Sequence, residues 1–213
     1  IKETGKPSNG TDVEGGLQSS HRMVEVLKYL DFRIVIAAFS GFSTLVAVVA
    51  RTLLVPLFGN TLFLSATETG LILSSSTILQ IIVDMPGVMI VDRYGRKLSI
   101  TLSLILFALS YALIPFSTDF MSLLFLVALQ GVAGGIGGGA SMALGADLAP
   151  PHLRGAFLGF WTTVGDLGAA VGPILCGVLA DIYGLSGSFY GTAILIAAGG
   201  ITTQLFVKET LKR

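Results

Sequence analysis

Three ionisable side chains lie inside long apolar stretches of the 213-residue sequence: Arg51, Asp84 and Asp166. A charged group inside a hydrocarbon-length segment costs free energy, so such residues are by default functional. A carboxyl group in a low-dielectric environment can exchange protons near neutral pH, and it can also pair with a cation. We therefore take the three residues as candidates for substrate binding or proton coupling, with Asp166 the strongest of them.

The composition indicates that the elements holding these residues are membrane helices. The sequence is 53% hydrophobic and 12% charged, whereas soluble domains carry about 25% charged residues, and its mean hydropathy is +0.82. A hydrocarbon core of roughly 30 Å needs about 20 apolar residues in a helix. Six stretches reach that length: about 34–57, 70–91, 98–116, 120–145, 155–180 and 188–207. Barrel strands would be about half as long and alternate in polarity, so we predict an all-α bundle of six transmembrane helices.

The helix lengths place the three charges at different depths. Asp166 follows Arg154 by twelve residues, about 18 Å of helix, which puts it near the midplane. The alternative to a transport role for Asp166 is a structural one, in which its carboxyl group is held by hydrogen bonds. Asp84 precedes Asp92 by eight residues, about 12 Å, and it either serves transport or braces its helix. Arg51 lies toward the C-terminal end of the first span. It either takes part in transport or extends its side chain along the helix to the membrane surface.

The distribution of Lys and Arg predicts the orientation. Twelve of the thirteen basic residues fall before the first span, after the second, after the fourth or in the tail. The three loops on the other side contain none. Since cytoplasmic loops carry the excess of basic residues, both termini are expected in the cytoplasm. This bias accounts for the charge pattern of a chain whose net charge is zero, so no nucleic-acid partner is implied.

The ends of the chain differ in composition from the six spans. Residues 1–20 are polar and rich in Gly and Ser, which favours disorder. Residues 21–33 alternate polar and apolar positions in the manner of a helix lying on the membrane surface. The transmembrane domain is then 34–207, and 208–213 begins a further cytoplasmic segment.

The loop between the second and third spans carries a recognisable charge motif. Asp92, Arg93, Gly95, Arg96 and Lys97 lie in the run VDRYGRK. The run resembles motif A of the major facilitator superfamily, Gly-x-x-x-Asp-Arg-x-Gly-Arg-Arg/Lys, in residue types and in place. The sequence departs from the motif at its leading glycine, where it has Val88, with Gly87 one residue earlier.

A second motif lies in the fifth span. Gly168, Gly172, Pro173 and Gly177 in GAAVGPILCG resemble motif C of the same family, which is found especially in drug–proton antiporters; Cys176 replaces one of its glycines. Glycines four residues apart allow helices to approach closely, and a proline frees a backbone carbonyl.

The resemblance covers about residues 30–213 and implies a fold and an activity. The expected fold is the N-terminal six-helix half of a major facilitator transporter, built from two inverted three-helix repeats. The expected function is secondary active transport of a small lipophilic molecule by alternating access, as proton-coupled efflux across a bacterial inner membrane. In the family an acid at Asp147 pairs with the motif A loop, so we expect an Asp147–Arg96 pair that gates the cytoplasmic side.

The fourth span departs from the antiporters. Those proteins carry an Arg three residues before Gln-Gly, where this chain has Val127 before Gln130 and Gly131. The Gly-rich run that follows lacks the strand and Lys of a phosphate-binding loop, so it predicts close helix packing beside a cavity. No cofactor and no metal site are predicted.

The same sequence also bears on other functions and on the partner of the chain. An intramembrane serine protease would need a histidine late in the chain and within the membrane, whereas the two histidines, His21 and His152, fall on the predicted cytoplasmic side. The Gly-x-Gly-Asp signature of intramembrane aspartyl proteases is absent. Both observations argue against an enzyme. Family members normally have twelve spans, so the expected partner is a C-terminal six-helix half. A homodimer of halves and a scaffold or sensor that does not transport remain as alternatives.

Overall fold

The computed structural model describes residues 25, 26, 29 and 31–207. Within them lie five continuous helices: α1 (Phe32–Thr61), α2 (Ala66–Tyr94), α3 (Arg96–Leu113), α4 (Phe120–Leu148) and α5 (Arg154–Phe206), with 3-10 turns at Ile114–Phe116 and Pro151–Leu153. All five are long and apolar enough to cross a membrane. The expected disordered segment 1–20, most of the expected surface helix 21–33 and the tail 208–213 lie outside the described residues.

Helix α5 contains two spans, because the chain reverses at Gly184. This residue has φ of +74°, a conformation that glycine adopts without steric cost. The Ser188 hydroxyl donates to the Cys176 carbonyl at 2.8 Å, although twelve residues of straight helix would separate them by about 18 Å. Residues 154–183 and 185–206 are therefore two antiparallel helices, which confirms the six-helix bundle. The turn between them is shorter than the interval 181–187 that separates the fifth and sixth predicted spans.

The helices pair as two inverted repeats predict. The main partner of α1 is α5, whose first part meets it where Gly168 packs against Phe42, and the main partner of α2 is α4. If the two parts of α5 are counted separately, the bundle has six helices. Exchanging the first three with the last three then converts the first pair into the second. The exchange also relates two contacts of small residues, Ser103 on α3 against Gly137 on α4 and Ser43 on α1 against Gly199 in the second part of α5. Small residues of this kind let helices approach closely without a hydrophobic driving force.

The two ends of the bundle differ in charge. The basic end carries Arg93, Arg96, Lys97 and Arg154; the opposite end carries Thr61, Ala66, Phe120 and Gly184. At the opposite end, Ser65 and Glu68 form a reciprocal capping box that starts α2. Asp119 and Ser122 do the same for α4. These caps satisfy backbone N–H groups that have no partner within the helix and fix where both helices begin.

Several helices expose apolar side chains to the surroundings of the bundle, α2 and the first part of α5 among them. On α2 the exposed side chains include Ile78, Ile81, Ile82, Met85 and Met89, and on the first part of α5 they include Leu167, Val171, Ile174, Val178 and Ile182. The interior is filled by fully buried side chains such as Tyr111, Phe107, Phe157 and Phe189. Apolar side chains are also exposed on α3 and on the second part of α5, for example Ile105, Leu109, Ile194 and Leu205. Because the interior is filled, this exposure does not result from a missing core.

Candidate functional site

A cavity of about 250 Å³ opens between α1, α4 and the first part of α5. Its lining residues are Gly41, Thr44, Leu45, Gly138, Ser141, Met142, Trp161, Thr162, Gly165 and Asp166. Six of these ten are glycine or carry a hydroxyl, so the helices leave space there without large side chains. A shallow depression of about 510 Å³ at the basic end, lined by Met89, Asp92, Arg93 and Tyr94, lies on the surface and away from this cavity.

Asp166 is the only ionisable residue among the ten that line the cavity. Its neighbours offer hydroxyl groups that already donate to backbone carbonyls: Thr44 Oγ1 to Ser40 at 2.8 Å and Thr162 Oγ1 to Gly159 at 2.9 Å. The oxygens of these hydroxyls therefore face outward as acceptors. A single carboxylate among acceptor oxygens and apolar walls favours a cation or a proton over an anion.

Trp161 forms one wall of the cavity and is held there by α4. The side chain is 4% exposed, and a methyl group on Gly145 would overlap its ring at 2.8 Å. An indole face attracts cations, so Trp161 adds to the preference set by Asp166. The predicted site residues did not include Trp161, Thr44 or Ser141. The available signal was that Trp161 is the only tryptophan of the chain and lies five residues before Asp166.

Arg51 lies apart from this cavity. Its side chain is 6% exposed, and Nη1 donates to the hydroxyl of Ser76 on α2 at 2.5 Å. It therefore turns into the bundle between α1 and α2 and does not extend along the helix to the surface. Nearby, the Tyr111 hydroxyl donates to the Ala47 carbonyl, one turn before Arg51, at 2.6 Å.

Asp84 lies on the exposed face of α2. It forms no ion pair within the part of the chain that the structure describes, so the bracing role considered for it has no partner there. Its neighbours Ile81, Ile82 and Met85 are more than half exposed. Arg51, Asp84 and Asp166 are thus in three different places, and the structure does not bring them together.

The basic end contains the ion pair expected from the loop motif. Arg96 Nε lies 2.9 Å from Asp147 Oδ2, with side chains 19% and 33% exposed. Gly95, between α2 and α3, has φ of +100°, so the tight connection does need glycine at this position. Asp92 and Arg93 are exposed, and Lys97 is half-buried. The pair joins the start of α3 to the end of α4.

Gly87 makes the close approach expected of the motif's leading glycine. A methyl group on Gly87 would overlap the carbonyl oxygen of Gly135 on α4. Val88, at the motif position itself, is 51% exposed. The close contact is therefore kept by the residue one position earlier, which points toward α4 because successive helical residues differ by about 100° in direction.

The glycines of the fifth-span motif differ in what they contact. A methyl group on Gly168 would overlap the Phe42 carbonyl of α1, whereas one on Gly172 would lie 3.5 Å from Val46 Cα, an ordinary contact. Gly177 has nothing within 4 Å, and Pro173 lies inside the helix. Only Gly168 is required for backbone approach at the α1–α5 interface.

The chain matches known proteins over most of its length. A family model described as Major Facilitator Superfamily matches residues 34–212. Multidrug resistance protein MdtG of Proteus mirabilis (strain HI4320) is 41% identical over 118 residues, which cover 55% of this chain and 29% of that protein. The class H tetracycline resistance protein of Pasteurella multocida is 33% identical over 148 residues, covering 70% of this chain and 36% of that protein.

Two solved structures share the fold. The human organic anion transporter MFSD10 (TETRAN) has a TM-score of 0.63 and 21% identity, over 86% of this chain and 49% of its own. The xylose transporter XylE from E. coli, in an inward-open conformation, has a TM-score of 0.62 and 20% identity, over 81% of this chain and 45% of its own. The chain thus spans about a third of the curated relatives and about half of these structures. It belongs to the Major Facilitator Superfamily and corresponds to the N-terminal six-helix half of that fold.

Proposed function

We propose that this chain is half of a membrane transporter that moves a small lipophilic cation, with Asp166 as the group that binds the cation or the proton exchanged for it. The observation that carries the proposal is the cavity between α1, α4 and α5, in which Asp166 is the only ionisable lining residue. A lone carboxylate can hold a cation or a proton, but not both. Competition for one site is a sufficient basis for exchanging a cationic drug against protons.

The proposed partner is a second six-helix half, which covers the exposed faces of α2 and α5. Both faces are apolar, but each includes a carboxylate, Asp84 on α2 and Asp166 on α5. An ionised group facing lipid is costly, so contact with protein or with a water-filled cavity suits these faces better. The C-terminal half of a longer polypeptide is the favoured partner, and a second copy of the chain is the alternative.

Alternating access requires that one end of the cavity can be closed. We assign closure of the basic end to Arg96 and Asp147, which tie α3 to α4, with Asp92, Arg93 and Lys97 facing the partner half. The excess of basic residues at this end supports a cytoplasmic position for it, on the inner face of a bacterial inner membrane. Efflux is the direction favoured by the multidrug and tetracycline resistance proteins among the relatives.

The decisive experiment compares Asp166→Asn with wild type in the full-length protein, reconstituted in vesicles with an imposed pH gradient. Uptake or extrusion of a fluorescent lipophilic cation is followed. We expect at least about a tenfold loss of rate and loss of its dependence on the gradient, because one neutralised charge-assisted contact is worth about 1.5–3 kcal/mol. Asp181→Asn is the matched control: it is the same change on the same helix at an exposed position outside the cavity.

Either of two results would count against the proposal. If Asp166→Asn transports the cation at the wild-type rate, this carboxylate is structural. If the wild-type protein moves no substrate even with its partner half present, the chain is a scaffold or sensor. The intact mass of the native polypeptide separates the two partners, since a single chain with both halves has about twice the 22.2 kDa mass of this one.

A further inference from the structure

Arg51 is the only charged side chain that is buried among the described residues, at 6% exposure. Its guanidinium donates to the Ser76 hydroxyl at 2.5 Å. Within the same residues no carboxylate lies at ion-pair distance from it. A buried charge without a counter-charge is strongly destabilising, so the arrangement is incomplete without an anion.

Gln130 on α4 is a second incomplete group in the same layer of the bundle. It is fully buried, and neither Nε2 nor Oε1 has a hydrogen-bond partner in the described part of the chain. An unpaired buried amide costs about 1–3 kcal/mol. Natural structures leave few such groups, so this one calls for a specific explanation.

Ser76 on α2 relates the two groups, since Arg51 bonds to it and Gln130 precedes in sequence the glycine that packs against it. A methyl group on Gly131, the neighbour of Gln130, would overlap the backbone carbonyl of Ser76, and Ser76 accepts the hydrogen bond from Arg51. Each of these three residues, Arg51, Ser76 and Gln130, lies ten residues from the helix terminus at the opposite end of the bundle. Ten residues correspond to a depth of about 15 Å. Three helices therefore bring one cation, one hydroxyl and one free amide to the same level.

We propose that Arg51, Ser76 and Gln130 form a binding site for the carboxylate of a lipophilic monocarboxylic acid. The guanidinium and the amide can donate to the carboxylate. The serine hydroxyl can donate as well, because its oxygen accepts from Arg51 and its proton is left for another bond. A planar carboxylate matches a guanidinium fork better than a spherical ion does. Ala50 and Leu54, on either side of Arg51 along α1, are fully buried, so the body of the ligand is apolar.

This site is distinct from the cavity at Asp166. Thr44, which lines that cavity, precedes Arg51 by seven residues, about 10 Å along α1. The two sites also differ in sign, since one offers a carboxylate and the other a guanidinium. The carboxylate site does not rest on the transport proposal, and a binding measurement can fail while transport at Asp166 persists.

The test is ligand-dependent melting of the full-length protein purified in detergent. Benzoate and benzamide serve as probes at equal concentrations, because they have nearly the same shape and differ in charge. We expect benzoate to raise the melting temperature by about 2 °C or more and benzamide to leave it unchanged. Equal shifts with both probes, or no shift with benzoate, would overturn the proposal.

Variants assign the effect to the site. Arg51→Gln should abolish the benzoate shift, and Gln130→Met, a near-isosteric change, should raise the half-saturating concentration about tenfold. Arg154→Gln removes an exposed charge at the basic end and should keep the full shift. If Arg51→Gln does not fold, Gln130→Met still decides, since a wild-type benzoate response in that variant contradicts a site that includes Gln130.

Discussion

The α1–α5 and α2–α4 interfaces occupy equivalent positions in the inverted repeat but differ in how tightly they close. At the α2–α4 interface, Gly131, Gly135 and Gly87 all approach the backbone of the facing helix. At the α1–α5 interface only Gly168 does so, and the cavity with Asp166 opens beside it. The same architecture therefore yields one sealed and one open interface, and the distribution of close glycine contacts decides which is which.

The difference also separates the two unusual charges. Asp166 faces the open side, where a ligand or a proton can reach it. Arg51 is bound to Ser76, the residue against which Gly131 packs in the sealed interface. An exchangeable group needs access, whereas a group held between closely packed helices responds only when those helices or its own ligand change. The two charges suit different tasks for this reason.

The largest expected effect compares one substitution in the two interfaces. Gly131→Ala places a methyl group into the Ser76 backbone and should lower the free energy of unfolding by about 2 kcal/mol or more. Gly172→Ala makes an ordinary contact 3.5 Å from Val46 and should stay within about 1 kcal/mol of wild type, because alanine also favours the helix. Equilibrium unfolding in mixed micelles measures both.

The control for this comparison is Gly138→Ala, on the same helix as Gly131 with nothing within 4 Å of the added methyl group. It should be no less stable than wild type. Equal losses for Gly131→Ala and Gly172→Ala would mean that the two interfaces are packed alike, and the contrast drawn between them would be wrong.

A smaller effect is expected at the basic end, where both helix pairs terminate. The Arg96–Asp147 pair is partly exposed, and such pairs contribute about 0.2–1 kcal/mol. A double-mutant cycle with Arg96→Gln and Asp147→Asn should give a coupling energy in this range that falls as salt is added. A second cycle with Arg93→Gln in place of Arg96→Gln should give no coupling energy. A coupling energy as large for Arg93 as for Arg96 would contradict a specific Arg96–Asp147 pair.

The sequence predicts much of the fold because a bilayer leaves few choices. Apolar length identifies the six helices, and the motif around Gly95 locates the tight connection after α2. The glycines could not be ranked in advance, since Gly87, Gly168 and Gly177 look alike until the facing backbone is known. The cavity was equally hidden, because Trp161 and Thr44 come from different helices and no spacing along the chain relates them to Asp166.

The smallest expected effect concerns the cap that starts α4 at the opposite end. Hydrogen bonding lowers the pKa of Asp119 below its ordinary value, first from the Ser122 side chain and second from the Ser122 backbone N–H. The backbone N–H donates to Asp119 Oδ1 at 2.8 Å. Because the folded-state pKa is the lower one, the stabilisation is complete above the unfolded pKa of about 3.9 and is lost as pH falls through the folded value. Asp119→Asn should therefore melt slightly below wild type at neutral pH, and the gap should close under acid conditions. A gap that widens as pH falls would mean that Asp119 is not held as a carboxylate by Ser122.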